Sequence, residues 1–127
     1  MVQLVEAKRK VKTVTIIDDV TLTVPAGGTQ TVNSAAFDIS GYESCIILCT
    51  LGTETATATF DAKLQYKDSN GNYYDVASGA LTQMTAAGSQ QLIISKLYGE
   101  QARVVYVYGD GAGDAFAHVT LELVLKS

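Results

Sequence analysis

The sequence of 127 residues is long enough for one domain, which would bury about two-thirds of its extended-chain surface without disulfides or metals. Hydrophobic residues make up 47% of the chain and charged residues only 17%, which excludes a disordered or densely charged protein. No apolar run approaches the ~20 residues of a membrane helix, and the start of the chain lacks a signal-peptide pattern. We therefore expect a single-core domain that stays in a cytoplasm or leaves it without a signal peptide.

The first twelve residues are basic, whereas the remainder is acidic. Four basic residues against one acid give this segment a net charge of +3 and leave −7 for the rest of the total of −4. We predict an extended arm at residues 1–12 and a single domain at residues 13–127. Such an arm can contact nucleic acid or an acidic neighbouring protein, or stay solvated as a frayed terminus. Its candidate partner-binding residues are Val2, Leu4, Lys8, Arg9, Lys10 and Lys12.

The segments that follow the arm are rich in β-branched residues. Residues 14–17 and 20–24 are predicted to form two strands, with Asp18 and Asp19 between them. The Pro-Ala-Gly-Gly sequence after residue 24 ends the second strand, and a short strand follows at residues 29–32. The apolar residues of the next connector, 37–42, are expected to close one end of a sandwich.

Residues 45–51 are apolar on both faces of a strand, which is typical of a central strand that is covered on two sides. Another subunit is one candidate for the second cover. Cys45 and Cys49 would lie roughly 13 Å apart along such a strand, too far for a disulfide, so we predict two reduced core thiols. One face carries Cys45, Ile47, Cys49 and Leu51, and the other carries Ile46 and Leu48.

The clearest hairpin pattern runs from residue 56 to residue 76. Apolar side chains recur at every second position up to Tyr66, which indicates a half-buried strand. The Asp-Ser-Asn-Gly-Asn sequence at 68–72 is typical of a tight turn, because Asn-Gly tolerates positive φ. It is similar to the start of a calcium loop, but Gly71 comes two positions early for an EF-hand and Gly79 replaces the bidentate glutamate. We therefore interpret it as a turn.

Three more strands are predicted at residues 91–95, 102–108 and 115–125, with Gly-rich turns between them. No segment has the apolar spacing of an amphipathic helix over more than two turns. Eight to ten short strands predict an all-β protein, a two-sheet antiparallel β-sandwich or jelly roll. In the last strand, one face should carry Ala117, Val119, Leu121, Leu123 and Leu125, and the other Phe116, His118, Thr120, Glu122 and Val124.

The residues show no spacing typical of a catalytic, cofactor or metal site. His118 is the only histidine, and no nucleophile motif accompanies it. The carboxylates lie mostly in predicted turns or alternate outward along strands, and the Gly-rich segment at 109–114 is interpreted as a hairpin rather than as a calcium loop. We predict no enzymatic activity, no cofactor and no metal.

Two tyrosines and one arginine are the candidate contact residues of the domain itself. Tyr73 and Tyr74 lie beside the hairpin turn and can contact a partner or stack on a sugar, although neighbours on a strand point to opposite faces. Arg103 lies in an apolar strand, where a cross-strand acid such as Asp61 or Asp75 is its expected partner.

Residues 20–126 resemble small virion proteins of tailed bacteriophages. The resemblance rests on a Gly-rich turn, a Tyr-Glu-Ser entry to the central strand at 42–44, an Ala-Arg-Val strand at 102–104 and the hairpin. The hairpin positions are Leu64, Gln65, Asp68, Gly71, Tyr74, Asp75 and Val76. None of these motifs is a catalytic fingerprint.

The resemblance implies a decoration protein that is made in the host cytoplasm and then lies on the capsid surface of the virion. Its partner would be the major capsid protein, and its copies would form a homotrimer at a symmetry axis. No membrane partner is implied, and nucleic acid is not an expected partner. The alternative is a carbohydrate- or receptor-binding β-sandwich of a fibre or tail, which would present tyrosines from its loops.

Overall fold

A computed structural model of the chain describes residues 10–24, 28–55, 57–109 and 113–127. Within these ranges the regular structure is entirely β, and no helix long and apolar enough to cross a membrane is found there. The strands are β1 Val11–Val24, β2 Thr29–Asn33, β3 Phe37–Asp38, β4 Ser44–Leu51, β5 Thr59–Lys67, β6 Tyr73–Ala80, β7 Gly88–Ile94, β8 Gln101–Gly109 and β9 Gly113–Lys126.

The strands form two antiparallel sheets with a nested order of pairing. The first sheet has the order β1-β9-β4-β7, and the second has the order β2-β8-β5-β6, with β3 also paired to β8. The first and last strands in the sequence, β1 and β9, therefore pair with each other. Moving inward along the sequence, β2 and β3 pair with β8, β4 pairs with β7, and β5 pairs with β6. One long antiparallel ribbon wrapped into two sheets produces this order. It is a jelly roll, so the predicted all-β sandwich is confirmed.

Among the described residues, the buried side chains that fill the space between the two sheets are all apolar. Phe60 of the second sheet meets Phe116 of the first edge to face, with ring centroids 6.3 Å apart. Each fully buried side chain of this size contributes about 1.5–3 kcal/mol of stability by leaving water. The other large side chains that are fully buried are Ile39, Ile47, Leu64, Leu121, Leu123, Leu125, Val24, Val104, Val119 and Cys49.

Strand β4 lies in the interior of the first sheet, between β9 and β7, as its apolar pattern predicted. Cys45 and Cys49 face the core as free thiols, and burial raises the pKa of each to about 11. The opposite face is different, because Ile46 and Leu48 are only half-buried and do not contact the core. Within the described residues, the second cover expected for this strand is not supplied by the chain itself.

Strand β1 is one strand of 14 residues, so the prediction of two strands separated by Asp18 and Asp19 is wrong. The acids form an irregularity within the strand, where the register against β9 shifts on either side and Asp19 has a φ of 50°. The strand begins at Val11, which pairs with Lys126, and Lys12 pairs with Leu125. The last two residues of the interval predicted as an arm therefore belong to the sheet, and residues 1–9 lie outside the described residues.

Strand β9 contains a similar irregularity at His118, whose φ is also 50°. The extra residue reverses the alternation of faces, so that Phe116 and Val119 both point into the core. The prediction that Phe116 lies on the face opposite the leucines of this strand is therefore wrong, because it shares the core with Leu121, Leu123 and Leu125. Ala117, which was expected to share their face, is only half-buried.

Candidate contact surfaces

The turn of the β5–β6 hairpin is organised around the carboxylate of Asp68. Its Oδ1 accepts hydrogen bonds from the backbone N–H groups of Asn70 and Asn72, at 2.9 and 2.8 Å. Its Oδ2 accepts from the Asn72 amide at 3.1 Å and the Tyr74 hydroxyl at 3.0 Å. Both oxygens are thus engaged by donors of the turn itself, and Gly71 has the positive φ that the turn needs. The turn interpretation of this segment is confirmed.

The same hydrogen bonds shift the titration of both partners. Donation from the backbone of Asn72, followed by side-chain donation from Asn72 and Tyr74, lowers the pKa of Asp68 because these bonds favour the charged carboxylate. The pKa of Tyr74 is raised, since its hydroxyl must keep its proton to donate to Asp68. The turn is therefore held together by charge-assisted hydrogen bonds.

Tyr73 and Tyr74 lie on opposite faces of β6, as expected for neighbours on a strand. The guanidinium of Arg103 lies 3.5 Å from the centroid of the Tyr73 ring, so one face of this half-buried ring is covered. Tyr74 is 56% exposed, but its hydroxyl is committed to Asp68. The two rings therefore do not form a continuous stacking platform for a sugar or a base.

Arg103 does not form the predicted ion pair with Asp61 or Asp75. Its Nε instead donates to Oε1 of Gln65, at 2.9 Å, and the Gln65 amide donates in turn to Asp75, at 2.8 Å. Gln65 lies between the two in register, so a neutral side chain bridges the cation and the acid. Asp75 pairs with Lys63 at 3.1 Å, and the hydrogen bonds from Gln65 and Lys63 lower the pKa of its carboxylate.

Lys12 and Tyr73 lie at the same end of the sandwich. The ammonium of Lys12 donates to the backbone carbonyl of Asp38, at 3.3 Å. Across the second sheet, Asp38 pairs with Gln101, Gln101 with Lys67, and Lys67 with Tyr73. Three strand spacings separate Asp38 from Tyr73, about 14 Å. We name this region, from Lys12 through Asp38 to the 68–72 turn, the sandwich end.

Lys10 also lies close to this end, one residue before β1. Its backbone N–H donates to the Ser127 hydroxyl at 2.7 Å, and the Ser127 N–H donates back to its carbonyl at 3.0 Å. These two hydrogen bonds hold Lys10, the first described residue, beside Ser127, the last. The remaining predicted contact residues Val2, Leu4, Lys8 and Arg9 lie outside the described residues.

A second surface is the outer face of the first sheet, the side turned away from the core. A row of apolar side chains crosses it from β7 through β4 to β9, formed by Ile93, Ile46 and Val124. Ile93 is 66% exposed. It lies in the strand predicted at residues 91–95, but the sequence did not single it out as a contact residue. The signal for it was the unbroken apolar run at 92–94, because at least one of its three side chains must point outward whichever face of the strand is buried.

The described residues contain no grouping of three or more His, Cys, Asp or Glu side chains that could hold a metal ion. His118 contacts Asp19 with Nδ1 2.9 Å from Oδ1, and both side chains are exposed. Among the residues that the structure describes, no serine or cysteine is shown to hydrogen-bond to this histidine. The pair is part of the sheet irregularity described above.

Comparison with known proteins identifies the fold and no family. No protein-family model and no curated protein matches the sequence. Among solved structures, the VP2 subviral particle of infectious bursal disease virus superposes with a TM-score of 0.67 and 14% identity, over 94% of this chain and 33% of that chain. The structure of the Gx strain of this virus gives a TM-score of 0.65 and 17% identity, over 95% of this chain and 32% of that chain. The present chain thus spans about a third of the length of these viral chains.

A neighbour of similar size is the SPBc2 prophage-derived protein YomS. It superposes with a TM-score of 0.55 and 12% identity, covering 98% of this chain and all of that chain. These identities are low, so the likeness concerns the fold alone. The same jelly roll is therefore found in a protein of a viral particle and in a protein from a prophage.

Proposed function

We propose that the protein is a non-enzymatic structural protein of a tailed-phage virion, a decoration protein that binds the major capsid protein on the head surface. The observation that carries this proposal is the jelly roll itself, shared over 94% of the chain with a protein of a viral particle and end to end with a prophage-derived protein. The hairpin motif of the sequence, now seen as a rigid turn around Asp68, agrees with the same class of protein.

The sandwich end is the surface that we propose to contact the capsid. It carries Lys12 and the 68–72 turn, and Lys10, which follows Lys8 and Arg9 in the sequence, lies close to it. A basic segment on an otherwise acidic domain suits an acidic patch on a neighbouring capsid subunit. Each contact of this kind is weak, but several copies held at one symmetry axis bind with high combined affinity. We propose a homotrimer for this reason and from the resemblance to decoration proteins.

Co-sedimentation with heads assembled from the major capsid protein of the same genome tests this proposal. We expect the protein to pellet with heads in a saturable manner. A variant that lacks residues 1–9 should bind more weakly and keep its β-sheet circular dichroism spectrum. The deletion must stop at residue 9, because removal of Val11 and Lys12 would break their pairing with Lys126 and Leu125. Binding of the shortened protein with unchanged affinity would contradict the role of the arm, and no pelleting at all would contradict the decoration function.

The alternative, a carbohydrate- or receptor-binding module, has less support from the geometry. One face of the Tyr73 ring is covered by Arg103, and the Tyr74 hydroxyl is committed to the turn. A glycan array separates the two proposals. Binding to glycans that is lost in both Tyr73→Ala and Tyr74→Ala would favour the alternative, whereas binding to heads without a glycan signal favours decoration.

A further inference from the structure

The outer face of the first sheet has an ordered arrangement of side chains. Strands β7, β4 and β9 pair without a register shift, as does β1 from Val11 to Thr15, so their outward positions form rows that run across the sheet. The central row is Ile93, Ile46, Val124 and Thr13; the row on one side is Gln91, Leu48, Glu122 and Thr15, and the row on the other is Ser44, Lys126 and Val11. This surface is named the outer face below.

The apolar centre of the outer face is left uncovered by the described part of the chain. Ile93 is 66% exposed, and Ile46, Leu48 and Val124 are half-buried without contacting the core. Single exposed apolar residues are normal, but a contiguous apolar row with a polar surround has the anatomy of a protein interface. The surround is formed by Thr13, Thr15, Ser44, Thr50, Ser89, Gln91, Thr120, Glu122 and Lys126, with Val11 as an apolar residue at the edge.

The charges on the outer face are placed symmetrically about the central row. The rows given above contain two charged residues, Glu122 and Lys126, which lie two positions before and two positions after Val124 on β9. They are about 13 Å apart along the strand, too far to pair with each other. Neither forms an ion pair with another described residue. The face thus carries one acid and one base at equal distances from its apolar centre.

We propose that the outer face binds a second copy of this chain, packed face to face across a two-fold axis that runs along the Ile93–Ile46–Val124 row. Rotation about this axis reverses the strand direction and brings each member of the row opposite its own copy. It also places Glu122 opposite Lys126 of the second copy, and the reverse, which gives two equivalent ion pairs around an apolar centre. Two sheets pack in this way about 10 Å apart.

The symmetry of the charges is what selects a second copy rather than an unlike protein. A two-fold interface must be self-complementary, since every surface residue meets the surface of its own kind of chain. An acid and a base at equal distances from the centre meet this condition. An unlike partner would place no such requirement on Glu122 and Lys126.

This contact goes beyond the proposed decoration function and does not depend on it. The capsid is proposed to contact the sandwich end, whereas the outer face is the side of the first sheet turned away from the core, and only its Ser44–Lys126–Val11 row lies near that end. On a head surface the two-fold contact would join neighbouring copies. In solution it pairs two of the proposed homotrimers into a hexamer, or two single chains into a dimer. An experiment can therefore contradict the two-fold contact without contradicting the decoration function, and the reverse.

Sedimentation velocity over a range of protein concentrations tests the contact, with four substitutions. Ile93→Lys places like charges opposite each other on the axis and should halve the mass of the assembly. Val20→Lys is the matched control, because Val20 is also an exposed apolar residue of the first sheet but lies outside the rows. This substitution should leave the mass unchanged. Glu122→Lys and Lys126→Glu should each raise the dissociation constant about tenfold, because each replaces attraction by repulsion.

The double variant E122K/K126E provides the decisive arm of the experiment. It restores both ion pairs with their signs exchanged, so we expect its dissociation constant to return to within about threefold of the wild-type value. Recovery would support direct pairing across the two-fold axis. A wild-type protein with an odd number of chains, an unchanged mass for Ile93→Lys, or a double variant as weak as the single ones would overturn the proposal. Binding of Ile93→Lys to heads, measured in parallel, reports on the decoration function separately.

Discussion

Asp19 and His118 face each other where β1 and β9 both leave regular geometry, with Oδ1 and Nδ1 2.9 Å apart and a φ of 50° at each residue. Aspartate and histidine are among the few residue types other than glycine that adopt positive φ with some frequency. The two irregularities shift the register of the longest pair of strands in the protein. As a result Phe116 and Val119 both reach the core, although they are separated by two residues.

We predict that the stability of variants at position 118 depends on how readily the new residue adopts a positive φ. His118→Val should lower the free energy of unfolding by about 1–3 kcal/mol, because a β-branched residue is strained at positive φ. His118→Gly should cost less, since glycine adopts this conformation freely and only the contact with Asp19 is lost. Urea denaturation of the two variants measures the difference. Equal stabilities would show that the backbone conformation at residue 118 imposes no constraint.

The burial of Phe116 gives a second prediction for the same strand. Its ring is completely buried and contacts Phe60 edge to face, so Phe116→Ala should lower the free energy of unfolding by about 3–5 kcal/mol. Thr120→Ala, on the outer face of the same strand, is the control and should change stability by less than about 0.5 kcal/mol. Thermal or urea denaturation provides the measurement. If Phe116 pointed outward, as simple alternation predicts, the two variants would have similar stabilities.

The two cysteines should be unreactive in the folded protein. Burial raises the pKa of Cys45 and of Cys49 to about 11, so only about one thiol in a thousand is a thiolate at pH 8. We expect both thiols to react with a disulfide reagent such as DTNB only after the protein is unfolded in denaturant. Rapid reaction of the native protein, or the finding of fewer than two free thiols after unfolding, would contradict the buried and reduced state.

The hairpin turn predicts how stability depends on acid pH. Its hydrogen bonds lower the pKa of Asp68 below the ordinary value of 3.8, so the charged carboxylate stabilises the folded state above that pH. This contribution is lost as the pH falls through the lowered pKa. Asp68→Asn should therefore be less stable than the wild type at pH 7, and the difference should shrink at pH values below 3.8. Ser69→Ala in the same turn is the control, and an Asp68→Asn deficit that persists undiminished in acid would contradict this role of the charge.

Much of this fold could be predicted because alternating apolar residues report directly on which face of a strand is buried. The pattern identified the hairpin, the central strand β4 and strand β8, and with them the two-sheet architecture. The irregularities at Asp19 and His118 could not be predicted, since an exposed polar residue fits a strand equally well with or without positive φ. Each of them changes which residues face the core.

The contact surfaces were harder to predict than the fold, for two physical reasons. Opposite charges were expected to pair directly, but Gln65 lies between Arg103 and Asp75 in register and satisfies both, which no pattern of charges reveals. The outer face depends on how four strands align side by side. Ile93 and Val124 become neighbours of Ile46 only through the register of the sheet.

The proposal that this protein lies on the surface of a phage virion is tested most directly by cryo-electron microscopy of purified particles of a phage whose genome carries the gene. We compare particles from the intact phage with particles from a phage in which the gene is deleted. We expect jelly-roll density on the outer surface of the intact heads. This density should be absent from heads of the deletion phage and restored when the purified protein is added. Heads of the two phages with identical outer surfaces, and no chain detectable in the intact particles by mass spectrometry, would contradict it.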